Sequence, residues 1–258
     1  MASSQLPSEK GHVEYMSAPK KQSKVGAAIT FVLIVVAVIF IMSVSFRVEN
    51  ITVNGNTHYS ADEIINAIEI EEGDNLFFFD RFAAVTRVFA KLPYVSEVQI
   101  ARALPNRMII NVTESAAVAY IRIGAELWTL DEKCKVLGKA AEGEEGTLIP
   151  VVGFDAGTFF INETLNTSTG DERPVSYLRE VLYQIKERQL SYQVTKIDFS
   201  DTNNVKLSYG GRFTIRLGDP YATEKKFSMV LNAITKLKEG DIGIIDVTDG
   251  RSVKFIPY

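Results

Sequence analysis

Two histidines stand in the chain, His12 and His58. Imidazoles and carboxylates ligate metals and move protons near neutral pH, and either task takes at least two such groups close together. His12 precedes a long apolar run and His58 comes after it in a polar turn, so a His-based site on either side lacks its second imidazole. Cys134 is the one cysteine, which leaves it no intramolecular disulfide. As a nucleophile it would need His and acid partners, of which only the distant His58 is on offer, so a small packing residue is expected. Asp198 with Asp201, and Asp246 with Asp249, set paired carboxylates beside strand ends. Paired acids can perform acid–base or glycosidase chemistry, but neither pair comes with a cleft signal, and solvated turn residues are the expected role. Gly210-Gly211 is not followed by the helix with Lys-Ser/Thr that a phosphate loop requires. No catalytic, metal or cofactor site is therefore expected, nor a small-molecule substrate, and the protein reads as a non-enzyme.

Whatever these residues do, the elements that position them lie beyond Val25–Phe46, an uncharged run between Lys24 and Arg47. At ~1.5 Å per residue this run makes a helix of about 33 Å, enough to cross a hydrocarbon core of roughly 30 Å. Lys20, Lys21 and Lys24 place its leading end in the cytoplasm by the positive-inside bias. Residues 1–24, rich in Ser, Lys and Gln, read as a disordered cytoplasmic tail, residues 25–46 as a single-pass transmembrane helix, and the remainder as extracytoplasmic. A cleaved signal peptide competes, because Ser43-Val44-Ser45 has the small-x-small pattern of a cleavage site; the length of the apolar run and of the tail favours retention. Of 28 basic and 32 acidic residues, 24 and 30 lie after the span. Such a mildly acidic outer part argues against a nucleic-acid partner.

Beyond the span the fold class is α+β. Val48, Ile51 and Val53 form a strand that stops at Asn54-Gly55-Asn56. Ser60-Ala61-Asp62-Glu63 has capping-box spacing ahead of Ile64, Ile65 and Ile68. Asp80 caps a second helix carrying Phe82, Val85, Val88 and Leu92, and Pro93 ends it. Val98 and Ile100, a Leu104-Pro105-Asn106-Arg107 turn, then Met108, Ile110 and Val112 make a hairpin. The order over 47–115 is β-α-α-β-β. Phe77-Phe78-Phe79 is expected to pack two of its rings in the core and to leave at least one exposed.

Residues 116–258 read as a mixed α+β domain with a mainly antiparallel sheet. Strands are expected at Ala119–Ile123 and Leu127–Leu130, and a helix led by Pro174 carries Leu178, Val181, Leu182 and Ile185. Val205–Tyr209 and Phe213–Leu217 form a hairpin around Gly210-Gly211. A helix runs from Phe227 through Leu237 to Gly240. Strands at Ile242–Val247 and Ser252–Ile256 close the domain around Asp249-Gly250.

This order, with Val53-Asn54-Gly55-Asn56, Gly73-Asp74-Asn75-Leu76-Phe77, Pro93-Tyr94-Val95 and Ile110-Asn111-Val112-Thr113-Glu114 directly behind a lone span, resembles the FtsQ/DivIB family of bacterial cell-division proteins. Residues 47–115 look like its POTRA domain. Leu148–Gly153, Phe213–Gly218 and Ile245–Val247 resemble its β-domain more loosely, and the proline usual in the family after Glu114 is missing. The resemblance implies a membrane-anchored scaffold at the division septum that binds FtsB/DivIC-type and FtsL-type single-span proteins. The alternative is a POTRA-containing secretion or envelope-assembly factor, which would call for repeated POTRA units or a β-barrel.

A last strand with no successor is expected at a sheet edge, where free backbone groups accept a strand from another chain. Arg251, Ser252, Val253, Lys254 and Phe255 are therefore the expected partner-binding residues. Val253 and Phe255 would face the domain, and Arg251 and Lys254 would meet acidic residues of the partner.

Overall fold

A computed structural model describes residues 24–141 and 143–258. The tail expected over 1–24 thus lies, except for Lys24, outside the described residues, as does His12. The apolar helix α1 spans Lys24–Ser45, one residue earlier at each end than its uncharged run, and none of its residues is buried by the rest of the chain. Phe46 leaves the helix because its carbonyl is taken by the Leu76 N–H at 2.9 Å.

The first folded unit consists of β1 (Asn50–Asn54), α2 (Ala61–Ile68), α3 (Arg81–Lys91), β2 (Val95–Ala103) and β3 (Arg107–Glu114). Its sheet runs β1-β3-β2, with β2 and β3 an antiparallel hairpin and β1 parallel to β3. The capping box forms: Ser60 Oγ accepts from the Glu63 N–H, and the Glu63 carboxylate accepts from Ser60 N at 2.8 Å. Asp80 accepts from the N–H groups of Phe82 and Ala83 at the start of α3. Such caps contribute about 1 kcal/mol each. Ile64, Ile68, Leu76, Val88, Met108 and Ile110 are fully buried between helices and sheet. Of the three phenylalanines only Phe79 packs against this core; Phe77 and Phe78 are exposed. The second ring expected inside is turned outward because Leu76, one residue earlier, already fills the site.

Glu114, at the end of β3, ties the turn after β1 to the sheet. Its carboxylate accepts from the Thr57 N–H at 2.8 Å, the Thr57 hydroxyl at 2.7 Å, and the N–H groups of His58 and Tyr59. Burial pushes this carboxyl up, but the donors of His58 and Thr57 outweigh burial and hold it below the usual range. A depressed carboxylate contributes stability that is present above its unfolded pKa of ~4.3 and is lost as pH falls through the folded value. Acid should therefore loosen this unit below about pH 4. Glu114→Gln should cost about 1–3 kcal/mol at pH 7 and flatten the acid limb of its melting profile; an unchanged limb would show that other carboxylates govern it.

The second unit is one nine-stranded sheet, built from β4 (Ala119–Ile123), β5 (Glu126–Leu130), β6 (Val136–Lys139), β7 (Ile149–Val152), β8 (Val194–Asp198), β9 (Val205–Tyr209), β10 (Phe213–Gly218), β11 (Gly243–Asp246) and β12 (Lys254–Pro257), in the order β12-β11-β10-β9-β8-β7-β4-β5-β6. Most neighbours are antiparallel, but β4–β7, β7–β8 and β10–β11 are parallel. Two of these pairs are closed by helices, α4 (Arg173–Glu187) between β7 and β8 and α5 (Thr223–Ile234) between β10 and β11. The four strands point the same way and both crossovers step toward β12. Right-handed crossovers of that kind put both helices on one face. There Val175, Tyr177, Leu178, Val181, Leu182 and Phe227 cover the sheet's buried residues, and Arg188, the C-cap of α4, donates to Ser228 of α5 at 3.1 Å. Cys134 is fully buried in this core, and burial pushes its thiol up to about 12. Helix α5 stops at Ile234, short of the expected Leu237, because Lys236 and Leu237 donate to the carbonyls three residues back, Ala233 and Ile234; Leu237 still packs on the core.

The two units touch. Lys135 Nζ, beside β6, donates to the carbonyls of Pro93 at 2.7 Å and Val95 at 3.2 Å, and Asn162 donates to the Phe89 carbonyl.

Candidate partner-binding edge

The carboxylates and imidazole that could have done chemistry are all engaged locally. His58 stacks on Tyr94 at 3.8 Å between centroids. Asp198, Asp201 and Asp246 each accept from the backbone N–H two residues on, which fixes them as turn residues. Asp249 accepts from the N–H groups of Arg251 and Ser252 and from the Ser252 hydroxyl; these bonds, led by the hydroxyl, hold its carboxyl far below the usual range.

β12 is an edge of the nine-stranded sheet, and among the described residues nothing pairs with its outer side. The opposite edge differs, since Val136 of β6 exchanges backbone bonds with Asn162 and Glu163 of a covering loop. β12 starts two residues later than expected: Arg251 and Ser252 belong to the Asp249 turn and not to the strand. Register pairs Asp246 with Lys254, Ile245 with Phe255, Ile244 with Ile256 and Gly243 with Pro257. The Tyr258 N–H bonds Ile242 O at 3.1 Å, which marks Ile242–Tyr258 as a hydrogen-bonded pair. In an antiparallel ladder such pairs alternate, so Lys254 and Ile256 turn their backbone groups toward β11, while Phe255 turns its N–H and C=O outward. Pro257, with the same parity, offers outward a carbonyl and no donor.

Side chains obey the register. Phe255 lies on the core face, its ring 6.2 Å from that of Phe213. Val253, expected beside it, is exposed, because the strand has not yet begun there and the Asp249 turn carries the chain away from the sheet. Lys254, Ile256 and Tyr258 take the other face, where the Tyr258 hydroxyl meets that of Thr214 at 3.1 Å. Asp246 on that face sits 3.7 Å from Arg216 and Asp249 is held in its own turn, so Arg251 and Lys254 are left as exposed cations beside the free edge. Sequence spacing placed Ile256 in the strand but left it out of the binding residues and missed Pro257 and Tyr258; the Asp-x-x-Ser pattern at 249–252, a turn that consumes Ser252, was the signal that moves the strand later.

Among the described residues one apolar helix long enough to cross a membrane feeds a β-α-α-β-β domain and a broad sheet with a free last edge, an order that fits a single-pass POTRA protein. Residues 46–115 match the FtsQ-type POTRA domain. The chain is 25% identical over 249 residues to cell division protein DivIB of Clostridium botulinum (strain Hall), covering 94% of this chain and 96% of that one. It is 25% identical over 222 residues to DivIB of Staphylococcus aureus (strain MRSA252), covering 85% of this chain and 48% of that one. It is 30% identical over 110 residues to cell division protein FtsQ of Myxococcus fulvus, covering 43% and 38%. Over most of its length the chain is thus similar to bacterial cell division proteins named DivIB and FtsQ.

Proposed function

We propose that this protein is a non-enzymatic scaffold of the division machinery, with a cytoplasmic N-terminus, a span over 25–46, a POTRA domain over 47–115 and a β-domain over 116–258 outside the cytoplasmic membrane at the septum. Its β12 edge takes up a strand from an FtsB/DivIC-type protein, and an FtsL-type protein joins the same assembly. The observation that carries this reading is the outward N–H and C=O of Phe255 on an uncovered strand flanked by Arg251 and Lys254. Backbone bonds to an added strand supply affinity, and the two cations select acidic residues on it.

Parity decides which proline tests this. Ser252→Pro would break the Asp249 turn, in which the Ser252 N–H is bonded, whereas Val253 precedes β12 and its N–H would become the next outward donor after that of Phe255 only where an added strand prolongs the ladder, so Val253→Pro removes a donor to the partner alone. Val253→Pro combined with Lys254→Glu should weaken the complex with the partner's extracytoplasmic segment at least tenfold, while the melting midpoint of the full chain shifts by only a degree or two. Undiminished binding would exclude this edge. A fluorescent fusion should form a midcell band, and an even envelope signal would remove the septal placement.

A further inference from the structure

The junction between α1 and the first folded unit is closed by hydrogen bonds and has no free linker. Asn75 Nδ2 donates to the carbonyls of Met42 at 2.9 Å and Ser43 at 3.2 Å, so a side chain of the loop before α3 caps the last turn of the apolar helix. Arg47 bridges to Asn75, Val48 N donates to Asp74 O at 2.8 Å, and Leu76 N donates to Phe46 O. The loop at 74–78 is thereby held at the level where the helix emerges.

Around that point the surface is aromatic and basic. Phe77 meets Phe46 edge-on with centroids 5.0 Å apart, and the Arg102 guanidinium lies 5.6 Å from the Phe77 centroid. Phe78 beside it is 69% exposed and Leu104 in the β2–β3 turn is 58% exposed. That turn is tied to the same place, because Asn106 O accepts from Glu49 N at 2.9 Å and its amide donates to the Glu49 carboxylate. Arg47, Arg102 and Arg107 are exposed. Two acids of the same loops are engaged, Glu49 by Asn106 and Asp74 by the Glu71 N–H at 3.0 Å.

Exposed aromatic rings with arginines at the end of a transmembrane helix match the chemistry of a membrane–water interface, where rings sit at headgroup depth and guanidinium groups pair with phosphates. We propose that this face of the POTRA domain docks on the leaflet from which α1 emerges, with Phe78 and Leu104 among the headgroups and Arg47, Arg102 and Arg107 on lipid phosphates. Continuity with α1 is what selects lipid as the occupant: a face pinned to the last turn of a span has the bilayer as its nearest neighbour. The inference rests on the membrane-spanning reading of α1.

The test is site-directed spin labelling of the full chain in vesicles of phosphatidylethanolamine and phosphatidylglycerol. The one native thiol is buried, so an introduced cysteine takes the label selectively. A label at Phe78→Cys should collide several-fold more with oxygen than with an aqueous nickel chelate, whereas a label at Tyr192→Cys, 97% exposed on the second unit, should show the reverse. A label at Val36→Cys in the middle of α1 separates the premises. Lipid at 36 with water at 78 overturns the docking alone, and water at both overturns the span as well. Dipolar broadening at 78 that disappears on dilution with lipid would mean that a second copy covers this face, which also overturns the proposal.

Discussion

Replacing Gly243 by alanine should strip β12 from its sheet and with it the capture of a partner strand. A Cβ at this position would lie 2.3 Å from Ile256 O and 2.9 Å from Pro257 Cα, backbone atoms that cannot swing aside as a flexible side chain can. The relief available is for β12 to move outward, which costs the Phe255–Phe213 contact and the bond from Tyr258 N, about 1–3 kcal/mol in all. On its other side Gly243 pairs with Phe213 of β10 and donates to Arg212 O at 3.2 Å, but the three atoms nearest the added carbon all belong to β12, so the rest of the unit should stay folded. Amide exchange at Lys254, Ile256 and Tyr258 should rise to near the unprotected rate while strands β7 to β10 remain protected, and affinity for the FtsB/DivIC-type segment should drop at least tenfold. Free amides at these three residues with full affinity would place the partner elsewhere.

Gly55→Ala should remove most of the stability of the POTRA domain. Gly55 has φ +83°, and a Cβ there would stand 2.1 Å from the Val112 carbonyl oxygen in the central strand β3. The left-handed backbone alone costs a non-glycine residue about 1–2 kcal/mol. Overlap with a central-strand backbone atom adds a similar amount or more. Against the roughly 5 kcal/mol that keeps a small domain folded, the sum is decisive. Gly73→Ala is the control: φ is +97° there but nothing lies within 4 Å of the added carbon, so only the backbone cost applies. Limited proteolysis should cut residues 47–115 of the Gly55 variant rapidly and leave the second unit intact; equal resistance of both variants would refute the steric account.

What the sequence disclosed and what it withheld divide along the range of the forces involved. Helix α2 was legible because its signals are local: Ser60, Glu63 and three isoleucines within nine residues. The β9–β10 hairpin was legible for the same reason, two glycines between alternating apolar runs. Strand β7 was not, since Pro150 inside Ile149–Val152 argues against a central strand. It is accommodated because β8 pairs only from Val151 onward, so no donor is missed at Pro150. The insertion of β3 between β1 and β2 depends on contacts more than fifty residues apart and leaves no local mark. At the candidate edge, residue types pointed to the right end of the chain, but which N–H groups face outward is set by register against β11. Periodicity alone assigned Val253 to the core face, and only the geometry of the Asp249 turn reassigns it.

The contact of Lys135 with Pro93 and Val95 sets the POTRA domain beside β6, at the far side of the sheet from β12. Eight strand spacings of ~4.8 Å separate those two edges, roughly 38 Å. In the assembly proposed above, a helix that enters the POTRA domain without slack and the breadth of the sheet would together set the docking edge at a standoff from the bilayer. An incoming strand tethered to its own span must climb that height, which takes about 12 extended residues for the sheet alone. Shortening such a tether should abolish capture without altering a single residue at the interface.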